Sequence, residues 1–356
     1  MLRNRLSTRV SGLLLIFMLL AGCGTTAAPS DKTAPAQVTI NDMAGRKITI
    51  PSHVTRILAL HPIPTYFLYR LTPDKVISKD MVFAKRYLDK DSVMAYAEPD
   101  RAKLSKLPTT GVFFKGLNPE QLLAMNPDVI VTLSKDPNID ELEHKVNIPV
   151  VAVSKDTMAD YAASIRLIGK IVGNESEADK LINYWQKTLA KVKSKADAIP
   201  ADKRVRVYFA GVGGNVLTTP GTQTIMASIV TMAGGVNVAQ GLSGNPTDES
   251  LPVSFEQILK WNPAIIIVNT QKDKDQLLGD AAWKSIEAVK NNRVYVQPRY
   301  ANLDGVTALM GLVWLEGKLY QNDAEFEVYF ETKMREFYQL FHNYPITPAQ
   351  IKEVAK

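Results

Sequence analysis

The stretch EQLLAMNPDVIV at residues 120–131 returns as EQILKWNPAIII at residues 256–267, 136 positions further along the chain. Over 13 aligned positions starting at Glu120 and Glu256, six residues are identical and three more are exchanges between aliphatic residues. Each copy predicts a short helix that stops at Asn-Pro, because a proline disfavours helical backbone at the residue before it. A buried strand is expected to follow. The repeat therefore predicts two similar halves.

Strand and helix patterns alternate around both copies. A hairpin is expected over 38–51 and a short buried strand over 56–60 in the first half. The second half starts again with the strand RVRVYFAG and continues through AIIIVNT and RVYVQP, with a helix expected over DAAWKSIEAVKNN. Such alternation favours an α/β fold with mainly parallel sheets. We therefore expect two Rossmann-like lobes.

A long helical pattern lies between the two halves, at residues 174–200, with Leu181 and Trp185 on its apolar stripe. About 23 residues would extend roughly 35 Å as a helix. We therefore expect an N-terminal lobe over 38–173 and a C-terminal lobe over 201–356, joined by this single helix. Ligands of open α/β sheets bind beyond the carboxyl ends of the strands, which predicts a cleft between the lobes. A stiff connector favours small closing movements.

The N-terminus is typical of an export signal. Three arginines without an acidic residue precede the apolar run GLLLIFMLL, and Leu-Ala-Gly then precedes Cys23. This arrangement resembles a bacterial lipobox. We expect a lipoprotein signal peptide over 1–22, a lipid on Cys23 that anchors the chain to a membrane, and a flexible tether over 23–37. The alternatives are an ordinary signal peptide and a short anchor.

Export and composition exclude several classes of function. Cys23 is the single cysteine, so the body has no disulfide, thiolate zinc site or cysteine nucleophile. An exported protein makes poor use of ATP or nicotinamide cofactors, and we expect no cofactor. The net charge of +6 falls to +3 once the three arginines of the signal are removed, since 39 basic residues then face 36 acidic ones. That balance argues against nucleic-acid binding.

The chain resembles the exported substrate-binding proteins of ABC importers for iron–siderophores, haem and cobalamin. The resemblance covers residues 38–345 and includes GLNPEQLLAMNPDVIV, VSFEQILKWNPAIIIV and an N-terminal signature. The matching residues of that signature are Asp42, Gly45, Arg46, Pro51, Arg56 and Ile57. One departure is that Thr65-Tyr66 stands where many members carry Thr-Glu. The resemblance implies two lobes joined by one helix, and a location at the cell envelope, in the periplasm or on the outer face of the cytoplasmic membrane.

The resemblance also implies a role for the glutamate of each repeat. In the family, a glutamate at this point of each lobe docks onto arginines of the membrane permease, and the matching residues are Glu120 and Glu256. The alternative is that each carboxylate only stabilises the first turn of its helix, by about 0.3–1 kcal/mol. The implied partners are a permease with its cytoplasmic ATPase, and we expect the chain to be a monomer.

Loops that follow the strands should line the cleft. The candidate ligand-binding residues are His61, Arg86, Tyr87, Tyr208, Arg299 and Tyr300. Arginines offer forked donors to anionic groups, and tyrosines offer flat apolar faces with one polar tip. That mixture suits a bulky, partly anionic metal complex. The alternative is that these are surface arginines and core tyrosines.

The four histidines are scattered, which argues against a site for a bare metal ion, since such sites need several converging ligands. His61 could serve as one ligand to a metal already held by a chelator. A ferric siderophore is the first expectation for the cargo, and haem, cobalamin, a nickel or cobalt chelate and an oxyanion are the alternatives. We expect a carrier rather than an enzyme. The rival hypotheses are an exported chelatase-like enzyme acting on a tetrapyrrole and a purely structural lipoprotein.

Overall fold

A computed structural model describes residues 36–81, 101–110, 117–298, 301, 303, 305–320 and 324–355. Residues Ala36–Lys356 form one compact unit. The signal peptide, Cys23 and most of the expected tether lie outside the described residues. No helix in the described ranges is both long enough and apolar enough to cross a membrane.

The first lobe contains a three-stranded parallel sheet in the order β3-β6-β7, an antiparallel hairpin β1-β2 and a short parallel pair β4-β5. Its strands are β1 (Gln37–Asn41), β2 (Lys47–Pro51), β3 (Ile57–Ala59), β4 (Lys79–Asp80), β5 (Thr109–Thr110), β6 (Val129–Leu133) and β7 (Val150–Val153). Its helices are α1 (Pro62–Leu71), α2 (Arg101–Ser105), α3 (Pro119–Ala124), α4 (Ile139–Val146) and α5 (Met158–Val172).

Asp42 and Arg46, two residues of the N-terminal signature, fasten the hairpin to this lobe. The buried Asp42 carboxylate accepts hydrogen bonds from the backbone N–H groups of Ala44, Arg46 and Ala152, and it pairs with the Arg46 guanidinium at 2.7 Å. Gly45 adopts φ +81° in the turn between them, a conformation that favours glycine. These three residues of the signature are thus explained by the geometry of the turn and by the hydrogen bonding of one buried carboxylate.

The linking helix α6 (Glu175–Asp197) follows α5 after a tight turn at Gly173, which adopts φ +70°. A capping box formed by Thr157 and Asp160 starts α5. The buried Trp185 of α6 donates through Nε1 to the carbonyl of Met158 at 2.7 Å, which ties the two helices together.

The second lobe contains a four-stranded parallel sheet in the order β10-β8-β12-β13 and a short antiparallel pair β9-β11. Its strands are β8 (Arg206–Ala210), β9 (Thr218–Thr219), β10 (Val236–Asn237), β11 (Leu251–Pro252), β12 (Ile265–Val268) and β13 (Val294–Val296). Its helices are α7 (Ile225–Met232), α8 (Phe255–Trp261), α9 (Gln271–Gly279), α10 (Glu287–Lys290), α11 (Ala308–Tyr320), α12 (Ala324–His342) and α13 (Pro348–Ala355).

Both sheets bury both of their faces, as parallel sheets covered by helices must. Successive side chains point to opposite faces, so Ile57 and Ala59 of β3 join a large core while Leu58 joins a smaller one. In β12, Ile265 and Ile267 join the same large core, whereas Ile266 and Val268 join a third cluster. The large core also contains the buried face of α6, so one apolar cluster runs through both lobes. Two α/β lobes joined by a long helix are therefore confirmed.

One helix prediction in the second lobe was wrong. DAAWKSIEAVKNN forms a 3₁₀ turn, Ala281–Ser285, and then the four-residue α10, with Ile286 in an extended conformation between them. Asp280 caps the 3₁₀ turn, and both Trp283 and Ile286 are buried, so the break places two large side chains in the core. The preceding helix α9 was not predicted; Thr270 and Asp273 form a capping box at its start.

Candidate functional site

The two repeat helices α3 and α8 have matching construction. The Asn118 side chain accepts the N–H groups of Glu120 and Gln121 at the start of α3, and the Ser254 hydroxyl accepts the Gln257 N–H in α8. After each helix the asparagine of the Asn-Pro pair takes a left-handed conformation, which asparagine tolerates better than most residues. The two φ values are +48° at Asn126 and +42° at Asn262.

An arginine at the start of β3 in the first lobe and of β8 in the second holds the end of the repeat helix of that lobe. Arg56 donates to the carbonyls of Met125 and Asn126 at 2.6 and 2.8 Å. Arg206 donates to the carbonyl of Trp261 at 2.6 Å. A cation at the C-terminal carbonyls satisfies unpaired acceptors and complements the helix dipole. The two copies thus also share, outside the quoted stretch, an arginine that fixes each short helix to its sheet.

Glu120 and Glu256 are both exposed, one in the first turn of each repeat helix. Both carboxylates can therefore reach a partner without any rearrangement of the lobe. No described hydrogen bond or ion pair engages either side chain, so the structure places two equivalent anionic groups on two equivalent helices.

Polar residues follow most of the strands at the carboxyl edges of the sheets, where open α/β folds bind ligands. After β6 and β7 come Ser134 and Ser154, and after β12 and β13 come Asn269 and Gln297. In the first lobe His61 follows Leu60 after β3. Ser154 is buried and donates its hydroxyl to Asp160, whereas the other four residues are partly exposed and carry hydroxyl, amide and imidazole groups.

A hydrogen-bond network joins three strand ends of the second lobe. The Gln297 amide donates to the Asn269 side-chain oxygen, and Asn269 Nδ2 donates to the Gly211 carbonyl at 2.9 Å. The Leu303 N–H donates to Gln297 Oε1 at 3.2 Å. Gly211 adopts φ +87°, and a Cβ atom there would lie 3.1 Å from the buried Asp273 carboxylate. The network fixes the loops after β8, β12 and β13. Sequence analysis missed it, although the polar residues in AIIIVNT and RVYVQP were a visible signal.

The start of α1 lies beside the segment that leads into α11. His61 caps α1, because its Nδ1 accepts the Ile63 N–H at 3.2 Å and its carbonyl accepts from Thr65. A Cβ atom built on Gly305 would lie 3.9 Å from Ile63 Cδ1. The segment that leads into α11 therefore passes close to the start of α1, where His61 lies.

Tyr208 and Tyr66 both serve the interior of the protein. Tyr208 lies in the middle of β8, is fully buried, and donates its hydroxyl to the carbonyls of Val216 and Thr218. Tyr208 was predicted to line the cleft, but it lies two residues before the end of β8 and its side chain is buried. Tyr66, at the position where the sequence departs from the family pattern, is buried with its hydroxyl 2.7 Å from His342 Nε2.

The remaining predicted cleft residues, Arg86, Tyr87, Arg299 and Tyr300, lie outside the described residues. Within the described ranges, no cluster of three or more histidine, cysteine, aspartate or glutamate side chains is arranged to hold a metal ion. The described part of the site thus offers neutral hydrogen-bonding groups at the strand ends and two exposed carboxylates on the repeat helices.

A profile of the family described as periplasmic binding protein matches residues 65–301. The chain belongs to this family. The match starts in α1 and ends beyond β13, so it includes β6 and β7 of the first sheet, the whole second sheet, the linking helix and both repeat helices.

Relatives by sequence are substrate-binding proteins named for different ligands. The chain is 28% identical over 344 residues to the molybdate-binding protein MolA of Haemophilus influenzae, covering 89% of this chain and 94% of MolA. It is 25% identical to the ABC transporter substrate-binding lipoprotein YvrC of Bacillus subtilis, covering 87% and 96%. It is 22% identical to the iron(3+)-hydroxamate-binding protein FhuD of Bacillus subtilis, covering 79% and 87%.

Solved structures give the same result for the fold. An ABC transporter solute binding protein from Sulfurospirillum deleyianum superimposes with a TM-score of 0.75 at 25% identity, over 89% of this chain and 98% of that chain. MolA of Haemophilus influenzae bound to molybdate superimposes with a TM-score of 0.72 at 25% identity, over 87% and 99%. The similarity therefore covers nearly the full length of proteins with this two-lobed architecture.

Proposed function

We propose that this chain is the substrate-binding component of an ABC importer, which captures an anionic metal species between its lobes and delivers it to the membrane permease. The observation that carries the proposal is the pair of equivalent repeat helices, each with an exposed glutamate, in a member of the periplasmic binding protein family. Two matching carboxylates on two lobes suit a partner with two matching cationic sites.

The described strand ends favour a small polar cargo. The Ser134 hydroxyl and the second N–H of the Asn269 and Gln297 amides, whose first N–H serves the network between strand ends, can hydrogen-bond to oxygen atoms, whereas a haem or corrinoid needs broad apolar contact. We propose an oxyanion of the molybdate class first, supported by the similarity to MolA over 94% of its length. A ferric siderophore is the second candidate, supported by the similarity to FhuD.

The proposal includes no chemical change in the cargo. The relatives are named for binding and transport rather than for catalysis, and the groups at the strand ends suit hydrogen bonding to a ligand. Recovery of the cargo unaltered after release would support a carrier, and turnover of a tetrapyrrole would support the chelatase-like alternative instead.

The proposed location is the cell envelope, with a lipid on Cys23 as the anchor. The relative YvrC is named a lipoprotein, which supports the proposal. A monomeric body on a tether could reach the permease while remaining at the membrane. Metabolic labelling with a fatty acid tests the anchor: label should enter the wild-type chain and not the Cys23→Ser variant.

The test of the docking role is the double variant Glu120→Gln, Glu256→Gln. We expect it to bind cargo as tightly as the wild type and to lose most cargo uptake in cells, because both glutamates are exposed on the repeat helices and no described contact ties them to the polar groups at the strand ends. Ligand affinity and uptake are measured on the same variant. Wild-type uptake by a well-expressed double variant would remove the docking role.

A further inference from the structure

Two exposed leucines occupy equivalent positions on the repeat helices. Among the described residues, the large apolar side chains with substantial exposure are Val38, Met81, Leu123, Val236, Leu259 and Val328. Leu123 lies three residues after Glu120, and Leu259 lies three residues after Glu256. Their exposed fractions are 44% and 39%. The same apolar exposure therefore occurs at the same place in both lobes.

Each leucine shares a helix face with its glutamate. Residues three apart on a helix are neighbours on its surface. The preceding residues, Leu122 and Ile258, are buried at 1% and 0% exposure and already supply the contact between helix and lobe. Leu123 and Leu259 are consequently not needed for core packing. Each forms a small exposed apolar patch beside a carboxylate.

We propose that Leu123 and Leu259 are the apolar half of the permease contact, each packing beside its glutamate against one of two equivalent permease surfaces. This inference rests on the proposed function. An apolar contact next to an ion pair excludes water and strengthens the electrostatic attraction. The partner surface is thus a cationic group flanked by apolar side chains, presented twice with the spacing of the two repeat helices.

A second copy of this chain is a poorer occupant of the same surface. In a symmetric contact between copies, each patch faces itself. Stacking leucine on leucine would bring the neighbouring carboxylates of Glu120, or of Glu256, close together, and like charges in contact are unfavourable. A cationic partner has the opposite effect, which is why we assign the surface to the permease.

The experiment measures binding of the protein, with molybdate present, to its cognate permease–ATPase complex in lipid nanodiscs. Leu123→Gln and Leu259→Gln keep the side-chain length and remove the apolar surface. We expect each single variant to raise the dissociation constant by about fivefold. The double variant should raise it by about 25-fold, because distant sites act independently. Val328→Gln is the matched control, since Val328 is 68% exposed on α12, and should bind as the wild type does.

Salt dependence separates the leucines from the glutamates. Affinity of the wild type and of the leucine variants should fall with salt to the same degree, whereas Glu120→Gln, Glu256→Gln should flatten that dependence. Wild-type affinity in the double leucine variant, with weakened binding in the glutamate variant, would overturn the leucine inference alone. Unchanged binding in both variants, or no binding by the wild type, would overturn the docking role itself. Concentration-dependent dimers abolished by the leucine changes would assign the surface to a second copy.

Discussion

Asp128 connects the first repeat to the start of the first sheet. Its carboxylate accepts the Thr55 N–H at 2.7 Å, the Arg56 N–H at 2.9 Å and the Thr55 hydroxyl at 2.9 Å. Burial alone would raise the pKa of Asp128, but these hydrogen bonds and the Arg56 charge together lower it below the ordinary value. One carboxylate thereby fixes the chain that enters β3 against the strand β6.

We predict that Asp128→Asn destabilises the protein by about 1 kcal/mol at pH 7, because the charge-assisted hydrogen bonds weaken. Because the pKa of Asp128 is lower in the folded protein than its unfolded value of 3.8, the ionised carboxylate stabilises the fold above about pH 3.8. That stabilisation is lost as the pH falls through the folded pKa. The difference between variant and wild type should therefore shrink below about pH 4. Urea unfolding at several pH values measures it, with Asp179→Asn, in an exposed pair with Arg166, as the control. A difference that stays constant down to pH 2 would contradict this account.

Single residues were predicted with uneven success. Asn118 caps α3 from its place before Pro119, and such a role can be read from the sequence because capping depends on neighbours along the chain. The position of Tyr208 did not follow, because burial of a strand residue depends on which face its side chain takes and on where the strand ends. β8 continues two residues beyond Tyr208, which places the ring in the interior.

At the scale of elements, the contact between α5 and the linking helix depends on a small residue. A Cβ atom on Gly169 would lie 2.5 Å from the Cβ of Ala178, closer than two such atoms can approach. The missing side chain allows the two helices to pack closely immediately after the turn at Gly173. The linking helix is therefore held against the first lobe from its first turns.

We predict that Gly169→Ala destabilises the protein by about 1–3 kcal/mol through overpacking, although alanine favours a helix by about 1 kcal/mol. Gly279→Ala is the matched control, because a Cβ there meets nothing within 4 Å; it should be neutral or stabilising. Thermal and urea unfolding give both values. A Gly169→Ala variant as stable as the wild type would show that the helices can separate without cost.

Elements with strong local signals were predicted from the sequence. The long helix, the Asn-Pro stops and the alternating strands all depend on periodicity or on a backbone restriction. The segment DAAWKSIEAVKNN failed because its helical spacing competes with the burial of Trp283 and Ile286, and tertiary packing decided the outcome. In both copies the chain must reverse direction after the short helix to enter a buried strand. Asn126 and Asn262 make this turn in a left-handed conformation, which accounts for the asparagine of the Asn-Pro pair in both copies.

For the whole molecule, the repeat predicted the architecture but not the cargo. Two lobes and a linking helix follow from a duplicated pattern and one amphipathic stripe. The candidate site does not, because its groups follow several strand ends that are far apart in sequence. Ser134 and Gln297, for example, are separated in sequence by β7, the linking helix and the whole second sheet. The close approach of the Gly305 segment to Ile63 could likewise not be predicted from the sequence.

The most direct test is thermal unfolding of the body from Gly24 onward in the presence of molybdate, ferric hydroxamate, haemin, cobalamin and nickel–histidine. A ligand at 100 times its dissociation constant adds about 2.7 kcal/mol to stability. For a chain of this size, that should raise the melting temperature by at least a degree or two. We predict a shift with molybdate, or failing that with the ferric hydroxamate, and recovery of the ligand unaltered. No shift with any of the five ligands, or turnover of haemin, would contradict the assignment as a carrier of an anionic metal species.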